Sequence, residues 1–452
     1  MSGTSARVIK QSQPASIAPG RWWILFVLTL VYALNVVDRY LLGILLPQIK
    51  EELVLPDWSL GVLSGFAFAV FYAVLGLPIA RLADRSSRKP IISACLALFS
   101  IATTLCGLAT SFFTLFLARM AVGVGEAGTG PASYSMISDL FEKARRSTAM
   151  AVYAIGGNAG LLAGFALGGY LATQYGWRTA FLTIGAPGLV VAALVYLTVR
   201  EPARGQSDKL ELGSGEENSS MLEAFRFLWS QPSYRWIVIG TTLVQFLGTG
   251  IVNWLPSMLD RSHGMTGAEI GARLGLAIGV AGSVGTLVIG GFLADRLSRR
   301  DIRWGLWVLV AGELLLVPGY ALVLLSPSGN LAILAFTWPA LFTTFFMGPV
   351  LALSQALAPP DMRAMAGAIL MLIISLVGAG LGPVAVGVLS DLLGPSLGKE
   401  SLRAALWLAP AAAFLAALAF ARAARTLSRD IERAESILSV KVKRASGRAD
   451  GE

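Results

Sequence analysis

Four charged residues lie inside apolar stretches of the chain and are the strongest candidates for chemistry. Asp38 and Arg39 are adjacent in the apolar run 22–46, and Arg119 and Glu126 stand seven residues apart in a later run. An ionised side chain in the membrane costs about 2.5 to 3.5 kcal/mol, so such residues usually face a protein interior or an aqueous cavity. Two acids beside two bases suit proton binding and release, or recognition of a charged ligand.

The two pairs should meet if both stretches are helices that cross the membrane. At about 1.5 Å per residue, Asp38 on an ascending helix and Arg119 on a descending helix both lie about 10 to 12 Å below the same boundary. Seven residues make nearly two turns, so Arg119 and Glu126 share one helix face with Gly123 between them. We therefore expect Arg119 to pair with ionised Asp38, and Glu126 to be a second protonatable group about two turns deeper. Burial favours the protonated carboxyl group, whereas a neighbouring guanidinium favours the carboxylate.

A static cluster of buried ion pairs, which only orients helices one and four, is the alternative interpretation. The chain contains an internal repeat at an offset near 218 residues, described below, and this offset places Thr337 opposite Arg119 and Thr344 opposite Glu126. The second copy therefore keeps the scaffold but lacks these charges. A purely structural device should appear in both copies, so the asymmetry favours a functional role.

The composition predicts the elements that position these residues. The chain has 452 residues, of which 55% are hydrophobic and only 14% are charged, and this is too apolar for an ordinary soluble protein. Apolar runs long enough to cross about 30 Å of hydrocarbon recur along the chain and give about twelve helices. The sequence therefore predicts an all-α membrane protein.

Two halves of the chain repeat one design. "RLADRSSRKPI" at 81–91 returns as "FLADRLSRRDI" at 292–302, and "TGPASYSMIS" at 129–138 returns as "MGPVLALSQA" at 347–356. Secondary transporters are often built from such six-helix halves, with the binding site between them. We therefore predict the following division: a tail at 1–20, an amino-terminal bundle at 21–200, a linker at 201–232, a carboxyl-terminal bundle at 233–422 and a basic tail at 423–452.

Charge and composition exclude several classes of function. About 28 of the 36 Lys and Arg residues fall in the tails and in the loops on one side, so both termini are predicted to be cytoplasmic in a bacterial inner membrane. The net charge of +9 is thus topological and does not indicate nucleic acid. His263 is the only histidine, and no phosphate-binding GxxxxGK[ST] loop occurs, so we expect no metal, no cofactor and no enzymatic activity. The expected partners are membrane lipids and a small amphipathic substrate, with the protein a monomer.

Several motifs resemble one transporter family over nearly the whole chain. "LADRSSRK", "LADRLSRR" and "RMAVGVGEA" resemble the major facilitator superfamily, and "NVVDRY", "GVGEAGTGPASYSMISDLF" and "YGWRTAF" resemble its spinster family. The resemblance implies twelve helices in two pseudo-symmetric six-helix bundles that work by alternating access. It also implies proton coupling through Asp38 and Glu126, tuned by Arg39 and Arg119, and sphingolipid-like or lysophospholipid cargo.

The repeated loops predict a conformational latch. Asp84, at the inner end of helix two, can meet the positive dipole end of helix eleven when the halves close on that side, and Asp295 can meet helix five in the same way. Nearby arginines can pair with acids such as Asp139 and Glu142. The predicted latch comprises Asp84, Arg85, Arg88, Asp295, Arg296 and Arg299. Charges that only set the topology of the chain are the alternative.

The predicted cargo site combines a charged and an apolar side. The carboxyl-terminal half offers large rings and uncharged polar groups, which suit the tail of an amphipathic ligand. These residues are Phe246, Asn253, Trp254, Phe345, Phe346 and Gln355. An organic-anion or drug exchanger, in which Arg39 and Arg119 bind the substrate, is one alternative, and a channel or receptor on a transporter scaffold is another. Glu313, in the middle of helix nine, has no role in any of these hypotheses.

Overall fold

The computed structural model of the protein describes residues 20–202, 221–285, 296, 301–342, 345–359 and 362–449. These residues form helices and connecting turns. Eight helices in the described part are long and apolar enough to cross a membrane. Several more crossings are made of two shorter helices joined at a break, so the architecture is that of twelve crossings in two bundles.

The amino-terminal bundle begins with one long helix and continues in helices that are interrupted at glycines and π-helical turns. Its helices are α1 (Arg21–Leu53), α2 (Asp57–Gly61), α3 (Ala67–Arg85), α4 (Arg88–Gly107), α5 (Phe112–Ala127), α6 (Thr129–Leu140), α7 (Lys143–Gly185) and α8 (Pro187–Thr198). A π-helical turn, Val62–Phe66, joins α2 to α3 in one helical run.

The carboxyl-terminal bundle repeats this plan after a short amphipathic helix. Its helices are α9 (Met221–Trp229), α10 (Pro232–His263), α11 (Gly267–Gly285), α12 (Trp304–Leu325), α13 (Gly329–Ala340), α14 (Met347–Ala356), α15 (Arg363–Ile373), α16 (Gly380–Leu397), α17 (Ser401–Ala405) and α18 (Leu408–Ala449). The second π-helical turn, Ile374–Ala379, joins α15 to α16, in the crossing that packs against α2 and α3.

The chain reverses at Gly176 within α7, so this long element supplies two crossings. Gly176 has φ 82° and ψ 163°, a backbone conformation outside the helical region that favours glycine. Both ends of the resulting hairpin return to the start of α1. Trp22 packs on Phe141, just before α7, with ring centroids 5.2 Å apart, and Trp23 donates a hydrogen bond to Thr198 at the end of α8.

These contacts define two faces of the molecule. The terminal face carries the start of α1 together with residues 139–142, 198–202 and 231–233. The distal face carries the end of α1 together with the loops 54–56, 108–111, 264–266 and 398–400. The described contacts between the bundles join α2 to α16, α7 to α11 and α1 to α10, and they cluster toward the distal face.

Glycines permit the closest helix contacts, as the sequence indicates. A Cβ atom at Gly156 would lie 2.4 Å from the carbonyl oxygen of Thr29, and one at Gly160 would lie 2.4 Å from that of Ala33. Real Cβ atoms do not approach oxygen so closely, so α1 and α7 can pack at this distance only because these positions are glycine.

Two predicted boundaries differ from the structure. The predicted linker 201–232 ends in helix α9, and residues 203–220 lie outside the described residues. The predicted boundary at residue 422 falls inside α18, which continues to Ala449. The extension is anchored because Asp430 accepts hydrogen bonds from the backbone N–H and the hydroxyl group of Ser233, at 2.9 and 2.7 Å.

Candidate functional site

The Asp38 carboxylate joins three helices of the amino-terminal bundle. Arg119 on α5 donates a hydrogen bond from Nη1 to Oδ2 of Asp38 at 2.6 Å, and this is the pair that the sequence predicts. Thr103 on α4 donates to the other oxygen at 3.1 Å. Asp38 and Arg119 are almost completely buried. Both oxygens of this carboxylate are therefore satisfied, which is what a buried ion pair requires to be tolerated.

Glu126 makes a second ion pair with Arg39, and this pair is only half enclosed. Nη2 of Arg39 donates to Oε1 of Glu126. The Arg39 side chain is 41% exposed, whereas that of Glu126 is 4% exposed. The second oxygen of Glu126 is buried and has no hydrogen-bond partner among the described residues. The pair therefore presents a cation to the space between the bundles and keeps a carboxylate, bonded on one side only, behind it.

A hydroxyl relay fixes the backbone next to Glu126. Asn35 on α1 donates to the hydroxyl oxygen of Thr129 at 2.6 Å, and that hydroxyl group donates to the backbone carbonyl of Glu126 at 2.9 Å. The helix is broken here between α5 and α6. Asn35 and Thr129 thus hold α1 against the broken end of α5, at the turn that carries Glu126.

Aromatic side chains surround the exposed arginine. The guanidinium carbon of Arg39 lies 5.1 Å from the ring centroid of Phe68 and 5.5 Å from that of Tyr72. At these distances the guanidinium is attracted to the negative face of each ring. The two rings also stack on each other at 5.4 Å, so they hold the arginine in a fixed position.

A tyrosine cluster continues this surface on α1, α6 and α7. Tyr32 stacks on Tyr153 at 4.8 Å, and Tyr134 meets Tyr153 edge-on at 5.3 Å. Tyr134 is 49% exposed. The sequence analysis missed these residues because tyrosines in apolar helices are common, and no spacing distinguishes a ring that lines a cavity from one that packs.

Three of the predicted cargo contacts in the carboxyl-terminal half are wrong for this conformation. Trp254, Phe345 and Phe346 are buried in helix packing and are turned away from open space. The indole N–H of Trp254 donates to the carbonyl of Pro383 at 2.8 Å, which satisfies its polar atom inside the bundle. Phe345 packs against Gly312, where a Cβ atom would collide with its ring.

The other three predicted contacts retain some exposure. Phe246 is half-buried, and Gln355 is exposed. Asn253 is half-buried and donates from Nδ2 to the carbonyl of Thr249 at 2.9 Å. Its side chain also packs beside Gly43 of α1, where a Cβ atom would lie 3.4 Å from Oδ1. Asn253 therefore lies at the contact between the bundles, and a role in cargo binding stays a prediction.

Arg88 is the best described residue of the predicted latch, and its contacts lie within one bundle. This buried side chain pairs with Asp139 and donates to Ser135 at 3.0 Å and to the carbonyl of Pro202 at 2.9 Å. Its Nε and backbone N–H also donate to Glu201, at 3.2 and 2.7 Å. Arg88 thus ties the end of α6 and the segment after α8 to the start of α4.

The remaining latch residues give no described contact between the bundles here. Arg85 and Arg296 are exposed. The Asp84 side chain, Asp295 and Arg299 lie outside what the structure describes. A latch on the terminal face stays a prediction for a conformation in which the bundles meet there.

Glu313 is a buried carboxyl group in the other bundle. It lies on α12 with no exposed surface, and neither of its oxygens has a hydrogen-bond partner among the described residues. The described contacts do not connect it to the site around Glu126.

Comparison with known proteins places this arrangement in a family. The family model described as Major Facilitator Superfamily matches residues 28–310. An MFS-type efflux pump of Mycolicibacterium smegmatis is 36% identical over 411 residues, which cover 91% of this chain and 94% of that protein. Protein spinster homolog 3 of Danio rerio is 25% identical over 456 residues, which cover 94% of this chain and 90% of that protein.

Solved structures show the same relationship in three dimensions. A bacterial homolog of the human lysosomal transporter spinster, in an inward-facing and unoccupied conformation, superposes with a TM-score of 0.80 at 30% identity, covering 91% of this chain and 98% of that one. The occupied inward-facing form of that homolog superposes with a TM-score of 0.77. With its repeated halves and two ion pairs in one bundle, this chain belongs to the major facilitator superfamily, and it is a transporter that resembles the spinster family.

Proposed function

We propose that this transporter couples the movement of an amphipathic lipid, sphingolipid-like or a lysophospholipid, to a proton gradient by alternating access. The observation that carries the proposal is the Arg39–Glu126 pair, in which the cation is accessible and the carboxylate is buried and bonded on one side only. A charged headgroup can reach Arg39 without entering the protein core.

The coupling step is an exchange of anions on one guanidinium group. A phosphate headgroup that binds Arg39 competes with the carboxylate of Glu126, because both need the same donors. Once released, Glu126 would be a buried charge without a partner, which is strongly unfavourable, so it takes up a proton. Departure of the cargo reverses the exchange and expels the proton. Cargo binding and protonation are then linked without direct contact between them.

Asp38 and Arg119 form the second protonation site of the proposal, with a different role. Asp38 is bonded through both oxygens and has no exposed surface. It can therefore exchange a proton only in a conformation in which Arg119 has moved away. We assign cargo-linked proton exchange to Glu126 and conformation-linked exchange to Asp38, with Arg39 and Arg119 setting the proton affinity of each.

The rings around Arg39 suit the rest of an amphipathic cargo. Phe68, Tyr72 and Tyr134 offer apolar faces and hydroxyl groups next to the charge, so a headgroup and the start of its tail can be held together. The relatives support this cargo class, because they include proteins named spinster homologs and a bacterial homolog of a lysosomal transporter.

The proposed state is inward-facing. The bundles pack together toward the distal face, and the superposing solved structures are inward-facing. The distribution of Lys and Arg favours a cytoplasmic terminal face in a bacterial inner membrane. The distal face is then the outer side, and the cavity beside Arg39 loads from the cytoplasm. We expect one chain to be the working unit.

The proposal is tested by flux of a labelled lysophospholipid in proteoliposomes with an imposed pH difference. Glu126→Gln should abolish gradient-driven accumulation but keep exchange of labelled for unlabelled cargo, since a glutamine cannot release a proton. Asp38→Asn should impair both, because it disturbs the conformational cycle. Glu52→Gln is the matched control, since Glu52 pairs with Arg178 at the distal face, away from the site. Full gradient-driven accumulation in Glu126→Gln would refute the proposal.

A drug or organic-anion exchanger is the second candidate. The observation that favours it is the efflux pump of Mycolicibacterium smegmatis at 36% identity. Small aromatic carboxylates would also meet Arg39 and the tyrosine rings. Competition of lysophospholipids and aromatic carboxylates for the same flux separates the two candidates, because the better competitor identifies the cargo class.

A further inference from the structure

The start of α2 is capped by a side chain from the opposite bundle. Oδ1 of Asp391, on α16, accepts the backbone N–H of Asp57 at 2.9 Å, and Oδ2 accepts that of Trp58 at 2.7 Å. No side chain of its own segment caps α2. The helical run continues through the π-helical turn into α3, so the carboxylate lies at the positive end of a long helix.

The second copy of the repeat contains the equivalent contact. Thr173, near the middle of α7, accepts the backbone N–H of Ala268 at the start of α11 through its hydroxyl oxygen, at 3.0 Å. Asp391 lies 218 residues after Thr173, and Ala268 lies 211 residues after Asp57. These are the offsets that relate the two halves of the chain. The two caps are therefore equivalent positions of the repeat, one charged and one neutral.

Backbone packing follows the same symmetry. A Cβ atom at Gly387 would lie 2.4 Å from the carbonyl oxygen of Asp57, and one at Gly169 would lie 2.2 Å from that of Gly267. Gly387 also lies 218 residues after Gly169. Each cap is thus supported by a glycine one turn before it, which lets the two helices approach.

The charged cap is reinforced by a second set of bonds. The buried Asp57 carboxylate accepts from Arg261 on α10 at 2.6 and 2.7 Å, from Lys50 at 2.6 Å and from Ser390 at 2.7 Å. A cavity of about 710 Å³ lies beside this cluster and is lined by Asp57, Lys50, Arg261 and Asp391, among others. Because water can enter there, these charges can be solvated when the helices separate.

We propose that Asp391 on Asp57 and Trp58, together with Thr173 on Ala268, forms a two-fold distal latch that must break before the transporter opens on its distal face. The latch joins helix two to helix eleven and helix five to helix eight. These are the helix pairs that Asp84 and Asp295 are predicted to join on the terminal face. Opening of one face then releases one set of caps and permits the other to form. The inference is independent of the cargo and of proton coupling.

Spin-label distances on the full chain test the latch. Labels at Leu108 and Leu325 report the separation of the bundles at the distal face, and labels at Leu108 and Val54 report a distance within one bundle; Cys95 and Cys106 are replaced by alanine. We expect Asp391→Ala to raise the ratio of distally open to closed molecules about tenfold, the effect of losing one charge-assisted hydrogen bond. Thr173→Val, which keeps the side-chain shape, should give a smaller shift in the same direction, and the double variant should exceed both.

Two matched controls separate the latch from general damage. Glu400→Gln removes a carboxylate at the same face that pairs with Arg403 in its own bundle, and Thr179→Val removes a hydroxyl that bonds to its own helix at Tyr175. Both should leave the distances unchanged. Unchanged Leu108–Leu325 distances in folded Asp391→Ala and Thr173→Val would overturn the latch. A shift confined to the Asp391 variant would overturn its two-fold form.

Discussion

Glu126 accepts a hydrogen bond from Arg39 through one oxygen, and its other oxygen is buried without a partner among the described residues. Asp38, in the neighbouring pair, is bonded through both. Two carboxylates in one bundle thus differ in how firmly they are held. The difference gives each of them a distinct expected behaviour under mutation.

Replacement of Arg39 by lysine should weaken cargo binding but preserve coupling. A lysine keeps the positive charge but lacks the planar fork that bonds phosphate in a bidentate manner and stacks on Phe68 and Tyr72. We expect the KM for an anionic lysolipid to rise about tenfold, with little change in maximal flux. Initial rates in proteoliposomes over a range of cargo concentrations measure this. A loss of maximal flux at unchanged KM would contradict a role in headgroup binding.

Thr103→Val should destabilise the protein through Asp38. The valine leaves Oδ1 of Asp38 buried without a donor, and an unsatisfied buried group of this kind costs about 1 to 3 kcal/mol. The midpoint of thermal unfolding should fall, and the same substitution made in an Asp38→Asn background should lower it much less. Thr104→Val is the control, because its hydroxyl bonds to the carbonyl of Ser100 on the same helix. Equal effects of the two threonine substitutions would disprove this account.

The cluster around Arg88 should lose stability in acid through Glu201. Partial burial raises the pKa of Glu201, but hydrogen bonds from Ser87 and Arg88 outweigh it and hold the pKa below its ordinary value of 4.5. The contribution is thus complete above the unfolded-state pKa and is lost as the pH falls through the lower folded-state value. Thermal unfolding between about pH 7 and pH 3 should show a steeper loss for the wild type than for Glu201→Gln. Parallel curves would show that Glu201 does not contribute.

Gly271→Ala should force the bundles apart at the distal face. A Cβ atom at this position of α11 would lie 2.1 Å from the carbonyl oxygen of Phe165 on α7, so one helix must move. Molecules with an open distal face should become more numerous, measured with the Leu108 and Leu325 labels. Gly279→Ala on the same helix is the control, since its Cβ would meet only Leu161 at 3.9 Å among the described residues. A closed distal face in both variants would show that this contact does not hold the conformation.

Sequence reasoning worked where one helix at a time decides the answer. The shared depth of Asp38 and Arg119 follows from a fixed rise per residue, and the shared face of Arg119 and Glu126 follows from a fixed number of residues per turn. The repeat placed equivalent segments in both halves because an insertion in a transmembrane helix is costly, so the offset is preserved. These regularities are local, and packing does not alter them.

Packing decided what periodicity leaves open. Trp254, Phe345 and Phe346 lie on helices predicted to line the cavity, but each is turned into the bundle. The tyrosines around Arg39 and the capping of Asp57 by Asp391 had no signal in the sequence. Asp57 reads as an ordinary acid at the end of a loop, and its partner is 334 residues away.

By itself, the sequence determined the membrane class, the duplicated halves and the presence of two acids and two bases at one depth of the first bundle. The tertiary structure alone decided which base each acid meets, which aromatic rings face the cavity and which face of the molecule is closed. The physical reason is that apolar composition and helical periodicity fix where a residue lies along and around its own helix, whereas its partners depend on how separate helices approach. In this protein that approach is set by glycines and by caps hundreds of residues apart.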